Sequence, residues 1–147
     1  MARYANTTEV TVSKSKAEIE DTLHRYKASG FMSGWHEGKA MIAFQIKERH
    51  VRFILPMPNR MDKEFTHSPT GKARTTDAAY NAWEQGCRQR WRALALAIKA
   101  KLEAVECGIV TFDQEFLAHI VAHNGRTVGE QIIPLIEAKK TPRLCLE

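Results

Sequence analysis

The chain is poor in cysteine and proline, with three and five among 147 residues, and it has no uninterrupted apolar run near the roughly 18–20 residues of a membrane span. Each shortage excludes something. Cys87, Cys107 and Cys145 are odd in number, far apart and without a C-x-x-C pair. Neither a disulfide framework nor a zinc module is indicated, and the three read as reduced cytosolic thiols. The polar opening Met1-Ala2-Arg3-Tyr4-Ala5 has no apolar stretch behind it, so no secretory signal is expected. Eight glycines and a charged fraction of 27% exclude collagen-like and globally disordered chains. There is no G-x-S-x-G, no phosphate-cradling glycine loop and no Cys–His pairing, and no internal repeat or low-complexity tract.

What is present reads as one domain, residues 1–147, long enough to bury a real core. Its net charge of +5 hides a partition. Residues 39–101 hold 13 basic and 5 acidic side chains, net +8, while the two flanks together hold 9 and 12, net −3. A basic middle of this kind suits a polyanion, although an ordinary solvated surface has the same composition.

Periodicity gives the fold. The β-branched run Glu9-Val10-Thr11-Val12 leads to Ser15 and Glu18, the S-x-x-E pattern of a capping box. Ile19, Leu23 and Tyr26 then share one face of a predicted helix over 16–28, with Gly30 as its stop. From Phe31 the period becomes two, predicting antiparallel strands at 31–36, 40–47 and 50–55 joined at Glu37-Gly38-Lys39 and Lys47-Glu48-Arg49-His50. Residues 57–75 keep no period and read as a mobile basic loop. Residues 77–106 carry the strongest helical signal, a bulky stripe from Tyr80 to Val105 beside a ridge of alanines and Gly86. That pattern predicts a central helix packed on two sides, with Arg88, Arg92, Lys99, Glu103 and Glu106 in solvent. Asn124-Gly125 predicts a C-terminal hairpin, and Thr127 with Glu130 opens a last helix that Pro134 should kink or end, before a fraying tail beyond Lys139. The fold class is α+β: an N-terminal helix and an antiparallel sheet of three or four strands on one long central helix, then a short hairpin and helix. A helix of thirty residues spans about 45 Å, so it should either break near Gly86 or protrude and form a homo-oligomer through 77–106.

The candidate chemistry is mostly cationic. Lys47, Arg49 and Arg52 surround a hairpin, Arg60, Lys63, Lys72 and Arg74 lie in the loop, and Arg88 and Arg92 are one turn apart on the helix. Such residues follow a phosphate backbone, and Phe31, Trp35 or Phe65 would stack on unpaired bases. Trp83 and Trp91 lie on the core stripe, where packing is their expected role. Arg90 and Lys101 project between the stripe and the ridge, so each needs an exit to solvent, an ion-pair partner or an anionic ligand. Glu115, His119 and His123 are spaced for one helical face but lack H-E-x-x-H, so no metal is assigned. Asp62 and Glu64 form D-x-E, and Glu37-Gly38-Lys39 an E-x-K in a turn; neither is placed as a metal-dependent nuclease requires. The reading is non-enzymatic, with no cofactor.

The runs Trp83-Glu84-Gln85, Arg88 to Leu96, Ile98 to Glu106, Thr111-Phe112, Glu115 to Ile120 and Gly125 to Glu130, together with Arg52-Phe53, Leu55-Pro56 and Pro69-Thr70-Gly71, resemble a family of small phage and prophage proteins. The resemblance brings no functional residue with it. It implies a phage product in a bacterial host cytoplasm, and with the basic middle it predicts a partner that is DNA or RNA. The alternative is a protein–protein inhibitor of a host defence system, and a third role is assembly. In layout alone the chain is similar to the strand-hairpin-helix plan of phage single-strand annealing proteins.

Overall fold

Thr11, rather than Ser15, caps the first helix of the computed structural model, which describes residues 10–138. The Thr11 hydroxyl accepts the Lys14 N–H at 3.2 Å, and helix α1 (Val12–Arg25) carries Ser15 on its buried face with Ile19, Thr22 and Leu23. The helix also stops earlier than Gly30. Lys27 takes the left-handed conformation (φ 64°), and the Lys27 and Ala28 N–H groups return to the His24 and Leu23 carbonyls, a Schellman closure that usually falls to glycine. The predicted tail beyond Lys139 and Cys145 lie outside the described residues.

The predicted strands are present as β1 (Gly30–His36), β2 (Lys39–Ile46) and β3 (Arg49–Pro56), antiparallel in the order β1-β2-β3. Register sets the two faces. The rows Phe31–Phe44–Val51, Ser33–Ile42–Phe53 and Trp35–Ala40–Leu55 point inward, while Met32–Ala43–Arg52 and Gly34–Met41–Ile54 point out. Both hairpin turns hold a non-glycine residue at positive φ, Glu37 (50°) and Lys47 (53°).

Residues 57–75 are more built than a loop. They contain a short helix α2 (Lys63–Thr66), a bridge between His67 and Ala73, and Arg74, whose guanidinium donates to the Glu64 and Phe65 carbonyls at 2.9 and 3.0 Å. Phe65 is buried against the next element, and it explains that element's glycine. Helix α3 (Thr76–Glu106) runs unbroken through Gly86, where a Cβ would sit 2.8 Å from the Phe65 ring. Of the two expected outcomes the break near Gly86 is absent; glycine is required there for close approach, and 31 residues extend about 46 Å.

The faces of α3 follow the prediction in part. Trp91, Leu94, Ala95, Ile98 and Leu102 meet the inner sheet face in the core. Of the expected solvated sector, Lys99, Glu103 and Glu106 are exposed, with Glu103 accepting a hydrogen bond from Tyr26, while Arg88 is half-buried and Arg92 turns to α1, where it pairs with Glu18. Solvent lies over Ala93, Ala97 and Ala100. The small ridge is packed only near Gly86; beyond it, alanine serves as a helix former on an open surface.

At the C-terminal end Phe116 to His119 are helical and extended backbone begins only at Ile120. Helix α4 (Phe112–Phe116) passes into a 3-10 turn, Leu117–His119; the predicted hairpin is present in short form, with a bridge from Val121 to Thr127 and the Ala122 and Val128 N–H groups donating to the Arg126 and Ile120 carbonyls, while Ile120 also bridges to Val51 of β3. Phe116 is fully buried, edge-on to Phe44 and Phe53, and that packing outweighs strand pairing. Helix α5 (Val128–Glu137) opens with the predicted Thr127/Glu130 box and continues past Pro134. The Glu130 carbonyl, deprived of an N–H by the proline, accepts the Arg126 guanidinium at 3.4 Å. No helix among the described residues is long and apolar enough to cross a membrane.

Candidate nucleic-acid interface

Where the start of α1, the β1–β2 hairpin and the first half of α3 meet, the inner face of the sheet outruns its helical cover. Trp35, in register with buried Ala40, stands 82% exposed on that face. The gap is a cleft of about 750 Å³. Trp35, Tyr80, Trp83 and Trp91 line it, with Met57, Val12 and Cys87 between them.

Its rings are held from behind. The Trp83 indole donates to the Pro58 carbonyl at 2.7 Å, tying α3 to the segment after β3. Tyr80 hydrogen-bonds Glu84, which together with the carboxylate charge raises the phenol pKa. Arg60 lies over both, 4.7 Å from the Tyr80 ring centre and 5.4 Å from that of Trp83. Lys16 is 4.8 Å over the Trp91 ring. Lys39 and Arg88 complete the rim, and Arg88 donates to the Gln85 amide oxygen at 2.6 Å and 3.0 Å. Burial pushes the Cys87 thiol pKa up, against the opposing pull of Arg90, so it is not an activated nucleophile. No family model, curated protein or solved structure matches the chain.

The remaining candidate cations separate into two groups. Several meet partners within the fold: Arg49 forms a bidentate pair with Asp113 at 2.8 and 3.0 Å, Arg52 meets Glu130 at 3.2 Å and the Gly125 carbonyl at 3.1 Å, and Arg92 meets Glu18. Arg74 is held by carbonyls, as above. Arg90 pairs with Glu64 at 3.3 Å and donates to the Gly86 carbonyl, and Lys101 pairs with Glu115 at 3.2 Å, so the ion-pair option is the one realised for both. Lys47, Lys63 and Lys72 stay exposed with no ion pair among the described residues.

Three aromatic expectations change. Phe65, 4% exposed, is unavailable for stacking, and Phe31 packs against the core. Trp83, expected in the core, is half-buried in the cleft. Glu115, His119 and His123 do not converge: Glu115 is paired with Lys101, His119 stacks on Phe53 with ring centres 4.0 Å apart, and no metal-binding group forms among the described residues. Burial, then the Lys101 charge, lowers the His119 pKa. Sequence reading missed Lys16, Lys39, Tyr80 and Trp83 as site residues. Tyr80 and Trp83 lie one turn apart, but only the long-range approach of Trp35 shows that the pair faces a cleft.

Proposed function

We propose that this chain is a phage-encoded accessory protein that binds single-stranded nucleic acid without catalysing a reaction on it, in the host cytoplasm. One observation carries the reading: a single cleft joins the rings of Trp35, Tyr80 and Trp83 to Lys16, Lys39 and Arg88, with Arg60 over two of those rings. Unpaired bases offer faces to stack on, and their phosphates fall to the rim cations. A duplex hides those faces, so the cleft selects single strands.

Tryptophan fluorescence titration tests this directly. Unpaired DNA or RNA should quench emission and outcompete duplex, with affinity falling as salt rises by a log-log slope of about −0.7 per phosphate. Trp35→Ala should weaken binding by roughly tenfold or more, since a stacked base contributes about 1–3 kcal/mol. Arg88→Glu should weaken it without unfolding. Arg92→Glu is a poor companion, because it sets two carboxylates together at Glu18 and should destabilise the α1–α3 seam.

A second reading, inhibition of a host defence protein, draws on the other side of the molecule. Met32 and Ile54 on the outer sheet face and Ile132, Ile133, Leu135 and Ile136 on α5 are all exposed. Absence of nucleic-acid binding at low salt, with a host protein retained through nuclease treatment, would favour it.

A further inference from the structure

A second cationic site lies at the other end of the same helices. The C-terminal end of α1, the β2–β3 turn and the second half of α3 enclose a depression of about 600 Å³. Arg25, Lys27, Lys47 and Lys99 line it, against Glu103 and Glu106, and Glu103 is engaged by the Tyr26 hydroxyl at 2.9 Å. Lys27, Lys47 and Lys99 have no ion pair among the described residues. Two of these lysines, Lys27 and Lys47, occupy left-handed backbone positions, where lysine has none of the local hydrogen bonding that lets asparagine or aspartate sit there. Two unfavourable lysines, contributed by different turns, thus converge on one depression. Strain retained at a site points to what the side chains do there.

On the reading that the cleft takes unpaired bases, we infer that this depression binds the phosphates of the same strand farther along. The geometry supplies the spacing. Arg88 and Lys99 are eleven residues apart on α3, about 16 Å. Lys39 begins β2 and Lys47 follows its last residue, eight residues on, about 26 Å. At about 3.4 Å per phosphate for a stacked strand, the two sites are bridged by roughly five to eight nucleotides. Arg92, between them, is neutralised by Glu18, so the strand is held at two points rather than continuously.

The test uses the full chain and oligodeoxythymidylates of three, eight and twelve residues. The triple variant Lys27→Asn, Lys47→Asn, Lys99→Gln removes the charges, while asparagine keeps both turns in the left-handed region. In the native protein, affinity should step upward between the three- and eight-residue oligomers and then level off. In the variant the step should disappear, the salt slope for the twelve-residue oligomer should shrink by about 2, and quenching by the three-residue oligomer should be unchanged. Equal affinity and slope in both proteins for the twelve-residue oligomer overturn the second site while leaving the cleft intact. If none of the three lengths quenches the native protein at low salt, both the cleft reading and this extension fail.

Discussion

Gly86 and Glu37 show opposite relations between a residue and its backbone. A methyl at position 86 meets the Phe65 ring at 2.8–2.9 Å, so Gly86→Ala should destabilise the fold by about 1–3 kcal/mol despite alanine's better helix propensity. Urea denaturation at constant m-value measures it, and a stabilised Gly86→Ala would mean that Phe65 moves freely. Glu37, at φ 50°, precedes Gly38 at φ 73°, the conformation for which Asn-Gly is the preferred turn. Glu37→Asn should therefore gain about 1 kcal/mol in the same experiment. Both effects depend on backbone angle or a ring from a distant segment. Gly86 was legible as a glycine in a helix, which suggested a break, because the sequence does not show Phe65 arriving against it.

Among the elements, the best-read ones are those whose signal is local. The three strands and both capping residues Thr127 and Glu130 follow from alternation and short spacing. Two misreadings had one cause: whether a side chain is covered is decided by segments far along the chain. Arg92 looks like a solvent residue until α1 supplies Glu18, and Ala93 looks buried until no element covers it. The C-terminal elements are fastened to the sheet by charge and by a ring. Arg49 holds the Asp113 carboxyl below its ordinary value through its hydrogen bond, so this contribution is complete above the unfolded carboxylate pKa and is lost as pH falls through the folded one. His119 has a folded pKa below its ordinary 6.5, burial first and Lys101 second. Its neutral form is thus favoured by folding, and stability declines as pH falls below about 6.5 toward the folded value. Thermal melts from pH 8 to 3 should show both declines; Asp113→Asn should flatten the lower and His119→Phe the upper. Within residues 57–75, limited trypsin digestion should cut first after Lys63 or Lys72, before Arg74 and before any site in α3, because the Arg74 side chain is held by two carbonyls.

At the scale of the molecule, the two ends of α3 serve different surfaces, and its middle is the core. The basic middle of the chain was visible as a count, but the count does not predict the surface. Arg49, Arg52, Arg74, Arg90, Arg92 and Lys101 turn to partners in the fold, whereas Lys16 and Lys27, from outside the basic middle, join the open sites. Trp35 was legible as an aromatic in a strand. It was one of three stacking candidates with Phe31 and Phe65, and what sets it apart from those two is the sheet extending beyond the helices that cover it.

That overhang makes the cleft separable from the fold by a single step in register. Phe31 is the one half-buried apolar anchor on the inner side of β1, and Trp35 adds little to the core. An extra residue at the Glu37-Gly38 turn would rotate β1 by one pleat, sending Trp35 to the outer face beside Met41 and Ile54 and bringing His36 inward. The domain would lose one half-buried contact and keep its aromatic centre at Phe44, Phe53 and Phe116. The cleft would lose its outer wall entirely. A hairpin of this kind lets a lineage discard or retune a ligand through one codon, with the rest of the protein left standing.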